Sequence, residues 1–428
     1  MSRRYRRIAS WIGAFALLLS FLPPAAWAQP AGPAFDAEAA TEAYLARVSP
    51  QAKARSDAYF EGGYWLILWG FLYGLAVSYL LLAARISARM RDLAARITSF
   101  AFLQSWIYGL LYIVATTVLT FPLAVYEGFY REHKYGLATQ TFGAWLEDQG
   151  KGLMVGLILG ALAFAALYAV LRRAPRTWWV WGTAVSVVFL VAGVTIAPVF
   201  IEPLFNKYTV LTDAKIRNPI LSMAHANGIP AQQVFVVDAS KQSNRVSANV
   251  AGMFGTMRIA LNDNLLKRTS EPGIKAVMGH EMGHYVLNHI YEMIPFFAII
   301  LAAGFAFAHW GFGRLVANER GERWGVRGVA DPAGFPVLAI LLSVFFLVLT
   351  PVLNTFIRSN EAEADMFGLN ASREPDGMAE VALLLGEYRK LSPGPVEEWI
   401  FFDHPSGRNR ILAAMRWKAE NLGDRPGE

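Results

Sequence analysis

The chain has 428 residues, of which 55% are hydrophobic and 17% charged, and its formal net charge is +6. That apolar fraction is high for a soluble protein, and the length allows two or three structural units. The sequence has no cysteine, which excludes disulfides and thiolate metal ligands. Arginines cluster beside apolar runs, which indicates membrane topology and argues against a nucleic-acid partner.

Residues 1–28 are typical of a bacterial secretory signal peptide. A basic start precedes the apolar stretch Ile8–Leu22, and Ala26-Trp27-Ala28 forms a small-residue cleavage site before Gln29. The alternative is an uncleaved first transmembrane helix, which the short apolar core and Pro23-Pro24 disfavour. Residues 29–61 are polar and predict a loop or a surface helix.

Six long apolar runs follow, each of about 20 residues or more, the length that crosses the hydrocarbon core of a bilayer. They are Gly62–Ala84, Ala101–Tyr126, Gly152–Leu171, Trp178–Phe200, Met293–Val316 and Phe335–Phe356. We therefore predict a four-helix transmembrane region over 62–200 and two further helices over 293–357. Buried helices of a soluble domain are a poor explanation for six such runs.

The loops between alternate runs carry most of the nearby arginines, and this predicts the orientation. These residues are Arg85, Arg89, Arg91 and Arg96, then Arg172, Arg173 and Arg176, then Arg314, Arg320, Arg323 and Arg327. By the positive-inside rule these loops are cytoplasmic. The remaining loops, with any catalytic segment and the C-terminal tail, are then periplasmic, in a bacterial inner membrane. A cytoplasmic catalytic domain is the alternative.

Residues 201–292, between the fourth and fifth runs, have the character of a soluble domain. The pattern predicts a helix over Thr212–Gly228 and strands at Val234–Val237 and Arg258–Leu261. Substrates of such enzymes commonly add as a strand to a sheet edge. Val246–Val250 is the candidate edge in this sequence.

His280-Glu281-Met282-Gly283-His284 is an HExxH motif. Positions i and i+4 share one face of a helix, so His280 and His284 can bind one metal ion. Zinc accepts imidazole nitrogen, polarises a scissile carbonyl and supplies a water of lowered pKa. Glu281 is then the general base of a metalloprotease. Gly283 is expected to leave space beside the metal.

A third protein ligand is needed, and the best candidates lie after the sixth run, in residues 358–428. Glu361 and Asp365 are four residues apart on one helical face, so one can bind zinc while the other orients a zinc histidine. An acidic helix start is the alternative for this pair. His289 lies five residues beyond His284 and is predicted to be a hydrogen-bonded structural histidine.

Near the end, Asp403-His404-Pro405-Ser406 and Arg410 form a further polar group. His404 is a candidate donor to the oxyanion of a tetrahedral intermediate. Arg410 is a candidate partner for Asp365 or for a substrate carboxylate. Capping of a helix N-terminus by Asp403 or Ser406 explains the same residues without function.

Together these motifs resemble the CAAX prenyl protease 1 family, integral membrane zinc endopeptidases of the gluzincin type. The resemblance runs from about Ile196 to Ala414. The matching segments are Pro203–Tyr208 (PLFNKY), Ser247-Ala248-Asn249, His280–His284, Glu361 with Asp365, and His404-Pro405 with Arg410; Tyr135–Thr141 is also similar.

This resemblance implies a multi-pass, mostly α-helical membrane protein with an inserted α+β gluzincin-type metallopeptidase domain. It implies one Zn²⁺ per chain with Glu361 as third ligand. Family members are similar in having seven spanning helices around a large chamber, with zinc at one end; here the first would coincide with the apparent signal. Eukaryotic relatives are understood to face the cytosol, whereas the arginines of this chain predict otherwise.

The function predicted is hydrolysis of a peptide or protein substrate, with or without a lipid modification, that lies along Val246–Val250 with Asn249 on its backbone. A membrane quality-control protease that acts on non-prenylated proteins would use the same site. A non-catalytic zinc scaffold would not need Glu281. A transporter is disfavoured, because the runs contain no charged pattern that suggests an ion path.

Overall fold

The structure, a computed structural model, describes residues 35–252, 257–317 and 319–422. The predicted signal peptide at 1–28 lies outside the described residues. Within the described residues, six helices are long and apolar enough to cross a membrane, which confirms the multi-pass prediction. We call them the first to sixth spans: Pro50–Ala83, Ala101–Lys134, Phe142–Arg173, Trp178–Phe205, His289–Val316 and Pro332–Ser372.

Several of these spans extend beyond the apolar runs into polar sequence, the first and the sixth among them. The first span begins at Pro50, where the hydroxyl of Ser49 accepts a hydrogen bond from the amide of Ala52, so the helix includes residues predicted as a polar segment. The α-helix of the sixth span runs unbroken over Phe335–Ser372. Its polar end therefore projects rigidly beyond the apolar part and carries Glu361 and Asp365.

Shorter helices connect and flank the spans. They are Ala37–Leu45, Ile86–Ile97, Ala214–Ala226, Asp263–Arg268, Glu271–Val286, Glu319–Trp324, Pro375–Leu385, Pro395–Phe401 and Gly407–Asn421, with 3-10 turns at Ala239–Lys241 and Pro332–Gly334. π-helical turns at Tyr126–Arg131, Gly156–Gly160 and Ala197–Ile201 interrupt the second, third and fourth spans.

A small four-stranded sheet lies in the segment between the fourth and fifth spans. Its strands are β1 (Tyr208–Val210), β2 (Val234–Val237), β3 (Ala248–Ala251) and β4 (Arg258–Asn262), in the order β1-β2-β4-β3. The central pair β2 and β4 is parallel, and each edge strand pairs antiparallel. The described strands leave β3 with one unpaired edge. Apolar side chains of the sheet and of the helix Glu271–Val286 form one buried core.

The two ends of the span bundle differ in what they carry. The arginine-rich loops meet at one end, where Arg91 of the first loop is 2.6 Å from Asp331 of the loop before the sixth span. We call this the arginine end. The sheet and the C-terminal helices lie at the other end, where the helix Ala37–Leu45 packs on Gly407–Asn421. There Tyr44 donates a hydrogen bond of 2.7 Å to Asp376.

Candidate metal centre

The helix Glu271–Val286 carries the HExxH motif. It begins where Ser270 accepts a hydrogen bond from the amide of Gly273, with Pro272 in its first turn. It ends before Asn288, which adopts a left-handed conformation with φ of 62° that asparagine tolerates. The next helix, the fifth span, starts at His289. The break therefore turns the chain back beside the motif.

Close contact between this helix and the sixth span brings the candidate ligands together. A Cβ added to Gly368 would lie 2.7 Å from the amide nitrogen of His280, and one added to Gly279 would lie 2.9 Å from the carbonyl oxygen of Gly368. Gly283 packs in the same way, since its Cβ would meet Ala364 at 3.1 Å. The space beside Gly283 thus belongs to the neighbouring helix, and the expectation that it borders the metal is wrong.

Three side chains meet with the spacing of a metal-binding set. The Nε2 atoms of His280 and His284 are 3.2 Å apart. Glu361 places Oε2 3.3 Å from the first of these nitrogens and Oε1 3.5 Å from the second. Ligand atoms held roughly 2.0–2.1 Å from a tetrahedral Zn²⁺ lie roughly 3.3 Å from one another. All three groups offer ligand atoms within 4.8 Å of each other.

Each histidine has a separate partner for its other ring nitrogen. His280 Nδ1 is 2.8 Å from Asp365 Oδ1, and His284 Nδ1 is 2.9 Å from His289 Nδ1. These contacts leave both Nε2 atoms facing the same point, as in metal sites where outer hydrogen bonds fix the imidazole. His289 is hydrogen-bonded, as expected, but it lies on the next helix and not on a further turn of the motif helix.

The charges and free ligand atoms of these three side chains favour a bound cation. Glu361 Oε2 is buried, and none of the described residues gives it a contact with hydrogen-bond geometry, although His404 Nε2 lies 3.2 Å away. Burial lowers the pKa of His280, but the neighbouring carboxylates of Asp365 and Glu361 outweigh it and raise this pKa to about 9. Two imidazoles and a carboxylate with an unbonded oxygen suit Zn²⁺ in chemistry as well as in spacing.

Glu281 lines a cavity of about 190 Å³ beside these ligands. His280, His404 and Ala248 contribute to the same wall, so the cavity joins the motif helix to the sheet edge. Burial raises the pKa of the Glu281 carboxyl group, and the neighbouring histidines oppose this effect. A carboxylate of raised pKa at this position can accept and return a proton near neutral pH.

The polar group near the C-terminus reaches the same place. Arg410 is buried and donates two hydrogen bonds to Asp365, of 2.8 Å from Nε and 2.5 Å from a terminal nitrogen. His404 Nδ1 is 2.8 Å from Asp403 Oδ1, which orients the ring with Nε2 towards Glu361. Ser406 also caps the last helix, so part of the structural explanation of this segment holds as well.

Sequence reasoning missed Arg389. It lines the cavity, and a terminal nitrogen of its guanidinium group lies 3.4 Å from His404 Nε2. Tyr388 lines the cavity beside it. Both lie in the loop after the helix Pro375–Leu385, and no local pattern marks them, because only the tertiary fold turns this loop towards the motif helix.

The predicted substrate strand lies next to this cavity. Val246, Ser247 and Ala248 line it, and β3 begins at Ala248. Asn249 is opposite Ala260 in the register, and its Oδ1 is buried without a hydrogen-bond donor among the described residues.

A second cavity, of about 1320 Å³, lies between the second and third spans and extends to Arg245, the residue before Val246. Arg245 donates hydrogen bonds of 2.7 Å to both Glu132 and the hydroxyl of Tyr59, so this end of the cavity is polar.

Fold and residue set together define a class: a multi-pass membrane protein with an HExxH metallopeptidase site at one end of its helical bundle. The sequence model of peptidase family M48 matches residues 210–418. The model of the CAAX prenyl protease N-terminal region, described as five membrane helices, matches residues 37–207.

Individual relatives agree with these matches. CAAX prenyl protease 1 of Saccharomyces cerevisiae is 34% identical over 364 residues, which cover 80% of this chain and 77% of the yeast protein. The uncharacterized metalloprotease YhfN of Bacillus subtilis is 27% identical over 371 residues, covering 86% and 87%. The crystal structure of S. mikatae Ste24p shares the fold, with a TM-score of 0.70 at 23% identity and coverage of 89% and 95%.

The chain belongs to peptidase family M48 and, within it, to the CAAX prenyl protease 1 group. It is a membrane metalloendopeptidase, and the family implies a metal ion, typically zinc. The predicted family, fold class and enzyme class are confirmed.

Proposed function

We propose that one Zn²⁺ per chain is held by His280, His284 and Glu361, and that this centre hydrolyses peptide bonds. The observation that supports it most strongly is the mutual distance of 3.2–3.5 Å between the two Nε2 atoms and the Glu361 oxygens. When bound there, Zn²⁺ supplies Lewis acidity towards the scissile carbonyl and a readily deprotonated water.

Glu281 is the general base in this proposal. Its carboxylate accepts a proton from the attacking water and donates it to the nitrogen of the leaving amine. His404 Nε2–H donates to the oxygen of the scissile carbonyl as negative charge develops there, and Asp403 at Nδ1 keeps the ring oriented. Arg410 acts through Asp365, which it neutralises and positions behind His280.

The peptide is proposed to lie extended along the unpaired edge of β3. Backbone hydrogen bonds to that edge hold it in register, and Asn249 Oδ1, which has no donor among the described residues, accepts from a peptide amide. The scissile bond then lies between β3 and the motif helix, because residues of both elements line the same cavity.

Metal content and activity test the proposal separately. Glu361→Gln is expected to lose stoichiometric zinc and activity, whereas Glu281→Gln keeps zinc and loses about 10²–10⁴-fold in kcat/KM. Glu147→Gln is the control, because it removes the same charge from a side chain that is 69% exposed and pairs with Lys151, away from the proposed zinc ligands. Zinc is measured by mass spectrometry of the purified membrane protein. Full zinc in Glu361→Gln, or full activity in Glu281→Gln, would overturn the assignment.

The substrate class divides into lipid-modified peptides and unmodified unfolded proteins. Apolar side chains such as Ile113, Phe121 and Leu153 line the 1320 Å³ cavity, which favours a substrate with an apolar part. The test compares cleavage of one peptide with and without a prenyl group. Preference for the prenylated form supports CAAX-type processing, and equal cleavage supports quality control.

We also propose that the end of the span bundle that carries His280, His284 and Glu361, which we call the zinc end, faces the periplasm of a bacterial inner membrane. Support comes from the convergence of the arginine loops at the opposite end. The natural absence of cysteine makes single-cysteine labelling direct. With an impermeant maleimide on spheroplasts, Lys267→Cys is expected to react at once, and Arg176→Cys only after lysis. The reverse pattern would place the catalytic end in the cytoplasm.

A further inference from the structure

The arginine end contains a pocket of about 510 Å³ that the peptidase reaction does not use. It is bounded by the start of the second span, the end of the third and the loop before the sixth, with Ser105, Arg172 and Arg327 in its lining. The zinc ligands are at the opposite end of the span bundle, so this pocket belongs to the other membrane interface.

Its arginines differ in how far the protein neutralises them. Arg91 is fully engaged, 2.6 Å from Asp331 and 2.9 Å from Asp92. Arg172 donates one hydrogen bond, of 2.6 Å to the hydroxyl of Ser105, and no carboxylate of the described residues lies within 4.0 Å of its guanidinium group. The side chain of Arg327 is 73% exposed and 3.7 Å from Asp92 Oδ1. Two guanidinium groups therefore retain unused donors at the pocket.

Such a pair favours a phosphate group. Guanidinium donors match phosphate oxygens in geometry and charge, and Ser105 adds a hydroxyl. The second span begins beside them at Ala101, without a side-chain cap on its first amides, and this adds to the favourable potential for an anion. Asp331 in the lining is already occupied by Arg91, so the remaining charge of the pocket is positive.

Apolar surface next to the pocket identifies the source of the phosphate. Ile97, Phe100 and Leu103 are 61%, 71% and 43% exposed, and they are close in sequence to the lining residues Ala101 and Gln104. Free phosphate and nucleotides carry no acyl chain that could cover such an apolar surface. A phospholipid places acyl chains on it while its headgroup enters the basic pocket.

We propose that this pocket binds the phosphodiester headgroup of an anionic phospholipid, with Arg172 and Arg327 on the phosphate and the acyl chains against Phe100 and its neighbours. The bound lipid would link the second and third spans to the loop before the sixth. The site is independent of the zinc centre and of the orientation of the chain, because both leaflets contain phospholipids.

The test is native mass spectrometry of the full-length protein in detergent, titrated with phosphatidylglycerol or with phosphatidylcholine. Wild type is expected to bind phosphatidylglycerol about tenfold more tightly, since charge-assisted hydrogen bonds to phosphate are among the strong ones. Arg172→Ala should abolish that preference. Arg327→Ala, at an exposed side chain with little structural role, should reduce it. Arg176→Ala, four residues further on in the loop after the third span and outside the pocket lining, is the matched control and should keep it.

Several results would overturn the proposal. One is equal affinity for the two lipids in wild type. Another is the same loss of preference in Arg176→Ala as in Arg172→Ala, which would indicate general surface charge. A third is displacement of the lipid by millimolar inorganic phosphate, which would identify a site for free phosphate instead. The proposal would also be contradicted if both single variants, Arg172→Ala and Arg327→Ala, kept the preference for phosphatidylglycerol.

Discussion

Two arginines, one at each end of the span bundle, have their charges balanced in different ways. At the zinc end, Arg410 is buried and forms a two-point ion pair with Asp365. At the arginine end, the one hydrogen-bond acceptor that the described residues offer Arg172 is the hydroxyl of Ser105. A charge enclosed by protein needs an internal counter-charge, because desolvation is otherwise too costly. A charge at the membrane interface can take its partner from outside. The site around Arg410 is therefore complete within the protein, whereas the pocket around Arg172 can bind an external anion.

The largest effect on stability is expected at the zinc end. Arg410→Met removes the two-point ion pair of the buried Asp365 and leaves His280 as the partner of that carboxylate, which should cost about 3–5 kcal/mol of unfolding free energy. Arg408→Met is the matched control two positions earlier, since Arg408 pairs with Glu42 and Glu38 on the surface and should cost less than about 1 kcal/mol. Thermal unfolding in detergent measures both. Equal losses would contradict the contrast between buried and surface pairs.

The glycine contact that assembles the zinc end gives the next prediction. Gly368→Ala places a methyl group against the backbone of His280 and should cost about 1–3 kcal/mol through forced separation of the two helices. Zinc affinity should fall with it, because Glu361 moves away from the histidines. Gly394→Ala is the control, since an added Cβ there meets nothing within 4 Å. Unchanged zinc affinity in Gly368→Ala would show that this contact does not position the ligands.

The pH dependence of metal binding distinguishes the two ends further. In the metal-free protein the pKa of His280 is raised to about 9, so below that pH a cation must displace one proton. Zinc affinity should therefore fall about tenfold per pH unit as the pH drops from 9 towards 7. Competition with a chelator of known pH behaviour measures it. Affinity that is flat over this range would show that His280 is already neutral. Arginine does not titrate there, so no corresponding change is expected at the arginine end.

The smallest effect is expected from Arg172. Its replacement by methionine breaks one hydrogen bond to Ser105 and no ion pair with a described residue, so unfolding in lipid-free detergent should change by less than about 1.5 kcal/mol. Comparison with Arg410→Met under the same conditions sharpens the contrast. A loss as large as that of Arg410→Met would mean that Arg172 has a structural role within the protein.

Many of the candidate ligands at the zinc end could be predicted from the sequence, because they occur in pairs spaced for one face of a helix. His280 and His284 are four residues apart, as are Glu361 and Asp365, and each pair falls on one face of its helix. That His280 and Asp365 meet, 85 positions apart, was predicted only as one of two options. The contact depends on Gly279 and Gly368, whose importance appears only when the two helices are packed together.

Other residues of the site could not be predicted from local sequence patterns. Arg389 and Tyr388 belong to an irregular loop, where no periodicity indicates which side chains reach a cavity. His289 contacts His284 because Asn288 adopts positive φ and breaks the helix. Continuing the motif helix past Asn288 predicts correctly that His289 is a hydrogen-bonded structural residue, but it misses that His289 lies on the next helix.

The sequence by itself determined the apolar spans, the HExxH helix and the residue types able to bind zinc, because hydrophobic length and helical periodicity are local properties. Tertiary structure alone decided which nitrogens and oxygens face one point, which carboxylate orients His280 and which arginines keep free donors. Those outcomes depend on distances between segments far apart in the chain, and packing, not local pattern, sets such distances.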